Sequence, residues 1–115
     1  HMVVQRERGR LVTRISTKPA RSGCLPSVDP MLASLAECSN GHALAVILSG
    51  MGRDGAEGAV QLAAAGGTIL AQNQESSAVW GMPGAAVQEG IVRACHPPED
   101  LAKEILRHSG VATWR

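Results

Sequence analysis

The chain has no phenylalanine and no tyrosine, and its aromatic residues are Trp80 and Trp114 alone. A core must therefore be built from Ala, Val, Leu and Ile, which suits layers of small side chains between helices and a sheet. No stretch approaches the roughly 18 uninterrupted apolar residues of a membrane span, and no secretory apolar segment follows the first residues. Charge of one sign is also scarce. The 11 Lys and Arg stand against 10 Asp and Glu, for a net charge of +1, which gives no general attraction to nucleic acid or to a membrane surface. Cys24, Cys38 and Cys95 form no CxxC pair. That argues against a disulfide framework or a structural zinc site and for reduced thiols in a cytoplasmic protein. Four scattered histidines do not change this, and His1-Met2 carries no weight because a cloning scar leaves the same pair.

What is present reads as one α/β layer system within 115 residues. Met2–Arg6 and Arg10–Ile15 flank Gly9 as a short hairpin. Residues 16–28 hold Pro19, Gly23 and Pro26 and form a loop or linker. Ser27 or Asp29 is placed to cap a helix from about Pro30 to Cys38, ended by Asn40-Gly41. Strands are expected over 44–48, Thr68–Gln72 and Ile91–Cys95, with Cys95 a small apolar filler. Helices are expected over 56–65, from Pro83 to Gln88 or Glu89, and over 99–108, with one short helical turn over 75–79. Three apolar strands alternating with helices imply a parallel sheet covered on both faces, part of a doubly wound α/β/α fold with an N-terminal hairpin. So few strands read as a piece of a larger domain rather than a self-contained one.

The most informative stretch is Leu44-Ala45-Val46-Ile47-Leu48-Ser49-Gly50-Met51-Gly52-Arg53-Asp54-Gly55, a buried strand that delivers its C-terminal end to a glycine-rich loop. Gly50–Gly55 formally fits G-x-G-x-x-G, and Glu75 stands where a ribose-binding acid is expected. A nucleotide-binding loop would need the donors at the next helix start, which the Asp54 carboxylate would contest. Asp54 has two other readings: a cap for the following helix, or a catalytic acid that orients a histidine. Mechanics alone leaves both open. Ser49 lies in no nucleophile elbow. His42 sits at the opposite end of its strand from Asp54, about 17 Å away, and His42 and His96 read as surface histidines.

Four blocks carry a resemblance: Pro26-Ser27-Val28-Asp29, Ile47–Ala56, Leu70-Ala71-Gln72-Asn73 and Trp80-Gly81-Met82-Pro83. In this order and spacing the chain resembles the CheB-type protein-glutamate methylesterases of bacterial chemotaxis, from Met2 to about Leu106. The resemblance reaches the C-terminal half of that family's catalytic domain. It implies a Ser–His–Asp hydrolase that cleaves glutamate γ-methyl esters on chemoreceptors, with glutamine deamidation in some members. Asp54 matches the triad aspartate, and Met51 and Gly52 match the loop that offers backbone N–H groups to the oxyanion. Arg53, Gln72, Asn73 and Trp80 are candidates for a substrate rim, although a turn held by Asn73 with Trp80 packed over the sheet end is the commoner use of such residues.

The departures are specific. The family's G-x-S-x-G-G-type nucleophile turn and its Gln-His-Met-Pro-like segment are not in this sequence, nor is the receiver domain that precedes the catalytic domain. The chain alone is therefore expected to be inactive, and a non-catalytic receptor-binding module is the alternative. The implied partners are a methyl-accepting chemoreceptor, a phosphorylated receiver domain and the chemotaxis histidine kinase. No metal or organic cofactor is implied, nor nucleic acid or membrane insertion. An exposed edge at 44–48 is expected to drive self-association.

Overall fold

Apolar runs and glycine-rich turns order the chain as β1 (Met2–Glu7), β2 (Arg10–Ile15), α1 (Val28–Cys38), β3 (Leu44–Ile47), α2 (Ala56–Ala64), β4 (Thr68–Gln72), α3 (Gly81–Gln88), β5 (Ala94–His96) and α4 (Pro98–Ser109). These elements come from a computed structural model that describes residues 1–110, so Trp114 lies outside the described residues. No helix among the described residues is long and apolar enough to cross a membrane.

β1 and β2 pair antiparallel from Met2↔Ile15 to Glu7↔Arg10. Arg8 and Gly9 both take positive φ, 52° and 79°, as a two-residue type I′ turn requires. His1 and Ser16 extend the ladder with reciprocal backbone hydrogen bonds of 2.7 and 2.8 Å. The hairpin packs on α1 rather than joining the parallel sheet. Val4 N–H donates to Ser34 Oγ at 2.8 Å, and Arg6 donates to the Cys38 carbonyl at the C-terminus of α1 at 2.7 Å.

The second sheet is parallel in the order β3-β4-β5, with Ala45 opposite Ile69 and Ile47 opposite Ala71. Alternation along the strands sends Ala45, Ile47 and Ile69 to one face, where they cluster with Leu32 of α1, Ala59 and Leu62 of α2 and Ala86 of α3. Leu70 lies on the other face, and α4, with buried Leu101, packs against the strands outside that cluster. The expected two-sided parallel sheet is therefore observed. Among the described residues β3 pairs with β4 alone, and Leu48 beyond it is 53% exposed.

Four local expectations need correction. Leu48 falls outside β3. Ile91 and Val92 do not pair as strand but pack against the core cluster, and pairing with β4 starts at the Arg93 N–H. Cys95 is exposed because β5 is an edge strand, so it fills no core. Residues 74–76 make a turn rather than a helical one, since Asn73 Oδ1 accepts from the backbone and hydroxyl of Ser76.

The site depends on one close approach. A Cβ on Gly58 of α2 would lie 2.8 Å from Leu32 Cβ and 2.9 Å from the Asp29 carbonyl oxygen of α1. Glycine here lets the first turns of α1 and α2 touch backbone to side chain.

Candidate active site

The loop between β3 and α2 is pinned to the start of α3. Gly50 N–H donates to the Val79 carbonyl and Met82 N–H to the Gly50 carbonyl, both at 2.9 Å. A Cβ on Gly81 would come within 2.9 Å of the Gly52 carbonyl oxygen and 3.0 Å of the Gly50 carbonyl oxygen. Gly52 and Gly55 take φ of 91° and 99°, conformations open to glycine at no steric cost. The glycines thus serve backbone contact and left-handed turns. Met51 projects from this loop, 83% exposed.

Asp54 leaves the loop and turns away from its own helix. Its Oδ2 accepts the Val28 N–H at 2.8 Å, while Oδ1 accepts the Ser27 hydroxyl at 2.7 Å and the Asp29 N–H at 3.3 Å. Asp54 therefore caps α1, not α2 as expected of a residue just before a helix. Asp29 does the converse, with Oδ1 accepting the Gly55 N–H at 3.0 Å and the Gly58 N–H at 2.8 Å at the start of α2. Neither Ser27 nor Asp29 makes a side-chain cap on α1. The close contact at Gly58 makes this exchange possible, since each helix start lies within reach of the other's carboxylate.

The two acids differ electrically. Burial pushes the Asp54 carboxyl up, but hydrogen bonds from Val28, Ser27 and Asp29 outweigh it and hold the group below its ordinary value. Asp29 goes the other way, raised by burial and by the neighbouring Asp54 charge despite its hydrogen bonds from Gly58 and Gly55. Asp54 is thus the firmly ionised member. Beside it opens a cleft of about 600 Å³ lined by Arg21, Ser22, Cys24, Asp29, Gly52, Arg53, Asp54 and Glu57.

The nucleotide reading of Gly50–Gly55 does not survive this geometry. A phosphate would need the N–H groups at the start of α2. Asp29 occupies those of Gly55 and Gly58, and the Arg53 carbonyl takes that of Ala56. The competing carboxylate is Asp29, not Asp54.

Gln72 is not on a rim. It is 6% exposed, its Oε1 accepts the Ser49 N–H at 2.7 Å, and its Nε2 donates to the Ser76 carbonyl and hydroxyl. Trp80 Nε1 donates to the Gln72 carbonyl at 2.9 Å while its ring packs on Gly84, where a Cβ would lie 2.9 Å from Cε3. Asn73 holds the following turn. Ser49 Oγ donates to the Val79 carbonyl and accepts the Val79 N–H. Arg53 makes an exposed ion pair with Glu89 at 3.3 Å. His42 is exposed and His96 half-buried.

His1 is the residue the sequence concealed. It is 8% exposed, its Nδ1 accepts the Ser27 N–H at 2.9 Å and its Nε2 meets the Lys18 carbonyl at 2.8 Å. No local pattern marks it, because both partners lie 17 or more positions away.

The CheB methylesterase family model matches residues 1–105. A protein-glutamate methylesterase/protein-glutamine glutaminase of Nitrobacter winogradskyi is 49% identical over 107 residues, covering 93% of this chain and 25% of that protein. A namesake from Rhodospirillum rubrum is 44% identical over 107 residues, covering 93% of this chain and 28% of its own. Among solved structures, the Thermotoga maritima CheB methylesterase catalytic domain superposes with a TM-score of 0.89 at 29% identity, over 93% of this chain and 57% of that one. The chain spans about a quarter of the length of these two curated relatives. With the family model covering nearly all of its described residues, the chain belongs to the CheB methylesterase family.

Proposed function

We propose that this chain is the C-terminal portion of a methylesterase catalytic domain and supplies the acid of a Ser–His–Asp triad. Asp54 accepts the Nδ1–H of a histidine carried elsewhere in the protein, fixes its tautomer and stabilises the imidazolium as serine attacks a glutamyl γ-methyl ester. Methanol leaves on acylation of the serine, and water then releases glutamate. Met51 and Gly52 lie on the loop whose backbone N–H groups face the oxyanion, where one donor contributes a few kcal/mol to the transition state.

The observation that carries this reading is the Asp54 carboxylate itself. It is held below its ordinary pKa, accepts hydrogen bonds from the Ser27 hydroxyl and the Val28 and Asp29 N–H groups, and is edged by an open cleft. A helix cap alone would not require that space. The substrate is a methyl-accepting chemoreceptor in the cytoplasm, whose helix meets Arg53 in the lining of the cleft, with Asn73 and Trp80 as further contacts. A phosphorylated receiver domain and the chemotaxis histidine kinase regulate the intact protein.

The test is ester hydrolysis by the full-length protein with Asp54→Asn. We expect kcat to fall by about 10³–10⁴-fold, since the histidine loses its orienting acceptor. A loss of less than tenfold would remove Asp54 from the triad.

A further inference from the structure

We propose that His1 is a positioning residue for the Asp54 carboxylate, acting through Ser27. This rests on the reading of Asp54 as the triad acid for its catalytic meaning, although the physical link stands by itself. The Ser27 N–H can only donate, so His1 Nδ1 is the bare acceptor. The Lys18 carbonyl can only accept, so Nε2 carries the proton. The ring is thus held at both nitrogens in one tautomer. Ser27, 5% exposed, has one hydroxyl proton, and a carboxylate can only accept. That proton therefore goes to Asp54 Oδ1, and the Ser22 hydroxyl 2.8 Å away must donate to Ser27.

The N-terminus of α1 closes the argument. Of its first four backbone nitrogens, that of Ser27 is taken by His1, those of Val28 and Asp29 by Asp54, and Pro30 has no N–H. No alternative acceptor replaces His1 among these bonds. Without it the buried Ser27 N–H is orphaned, Ser27 moves, and the carboxylate loses its shortest hydrogen bond.

The test is a ¹³C NMR titration of the Asp54 carboxyl in this chain with His1→Ala, His1→Asn and His1→Gln. The Asn oxygen falls where Nδ1 sits and can accept the Ser27 N–H; the Gln amide nitrogen reproduces only Nε2. Asp29, Glu57, Arg21 and Arg53 line the same cleft and are constant across the series. We expect the Asp54 midpoint to rise by about one pH unit in His1→Ala and His1→Gln and to stay low in His1→Asn. An unchanged midpoint in His1→Ala, or an equal rise in His1→Asn and His1→Gln, would overturn the proposal. If His1→Ala fails to fold, the Asn–Gln pair decides alone. Failure of the triad reading would appear instead as Asp54→Asn retaining ester hydrolysis, with this titration untouched.

Discussion

Asp29 and Asp54 each close the helix that the other introduces, with Asp54 bonded to the Val28 and Asp29 N–H groups and Asp29 bonded to those of Gly55 and Gly58. This crossed pair ties the loop at the end of β3 to α1, and it sorts two like residues into unlike roles.

The sorting predicts unequal tolerance. Asp29→Asn keeps an oxygen for the Gly55 and Gly58 N–H groups and removes the repulsion between carboxylates, so denaturant unfolding should show stability unchanged within about 0.5 kcal/mol. Asp54→Asn turns an amide N–H₂ toward either Val28 N–H or Ser27, and should lose about 1–3 kcal/mol. Equal effects at both positions would contradict the assignment.

The acids also pull in opposite directions with pH. The folded pKa of Asp54 is depressed, so its contribution to stability is present above the ordinary value of 3.8 and is lost as pH falls through the lower folded value. That of Asp29 is raised, so its contribution is present below 3.8 and is lost as pH rises through the higher folded value. Tm measured from neutral pH downward should therefore fall less steeply than the parent's in Asp54→Asn below pH 3.8, and more steeply than the parent's in Asp29→Asn above pH 3.8, between the raised folded value and 3.8. A parallel set of curves would refute the two directions.

Gly81→Ala should disturb the loop that carries Met51. The new Cβ meets backbone atoms of Gly50 and Gly52 at 2.9–3.0 Å, and no flexible side chain can yield. We expect a loss of about 1–3 kcal/mol with amide shifts concentrated at 49–53 in NMR spectra. Unperturbed amides there would show that the loop and α3 are not held together as described.

β3 has one hydrogen-bonded neighbour among the described residues, and Leu48 is exposed beside its open side. An apolar strand edge of this kind templates pairing with another chain. The chain by itself should sediment as a concentration-dependent mixture, and Leu48→Lys should shift it toward monomer. A concentration-independent monomer in the parent would count against this.

The elements that the sequence revealed are those whose signals are local. The apolar runs around Leu44–Ile47 and Thr68–Gln72 each stop within two residues at a glycine or polar residue, so their burial is readable along a few positions. The hairpin is equally local, with Arg8-Gly9 at its tip. Asp54 could be singled out by family motif, yet its cap could not. Capping rules look to the next helix, whereas its donors lie 25–27 positions earlier. Ile91 and Val92 have the same β-branched character as strand residues, but they cover the core ahead of β5. Gln72 reads as a polar strand end open to solvent, and only the neighbouring loops show that it is enclosed.

That enclosed amide has a mechanical consequence. One side chain bridges Ser49 after β3 and Ser76 after β4, while its own carbonyl anchors the Trp80 indole at the threshold of α3. The exits of two strands and the entry of a helix thus share a single rivet, so losing the hydrogen bonds of that one residue would unfasten all three at once.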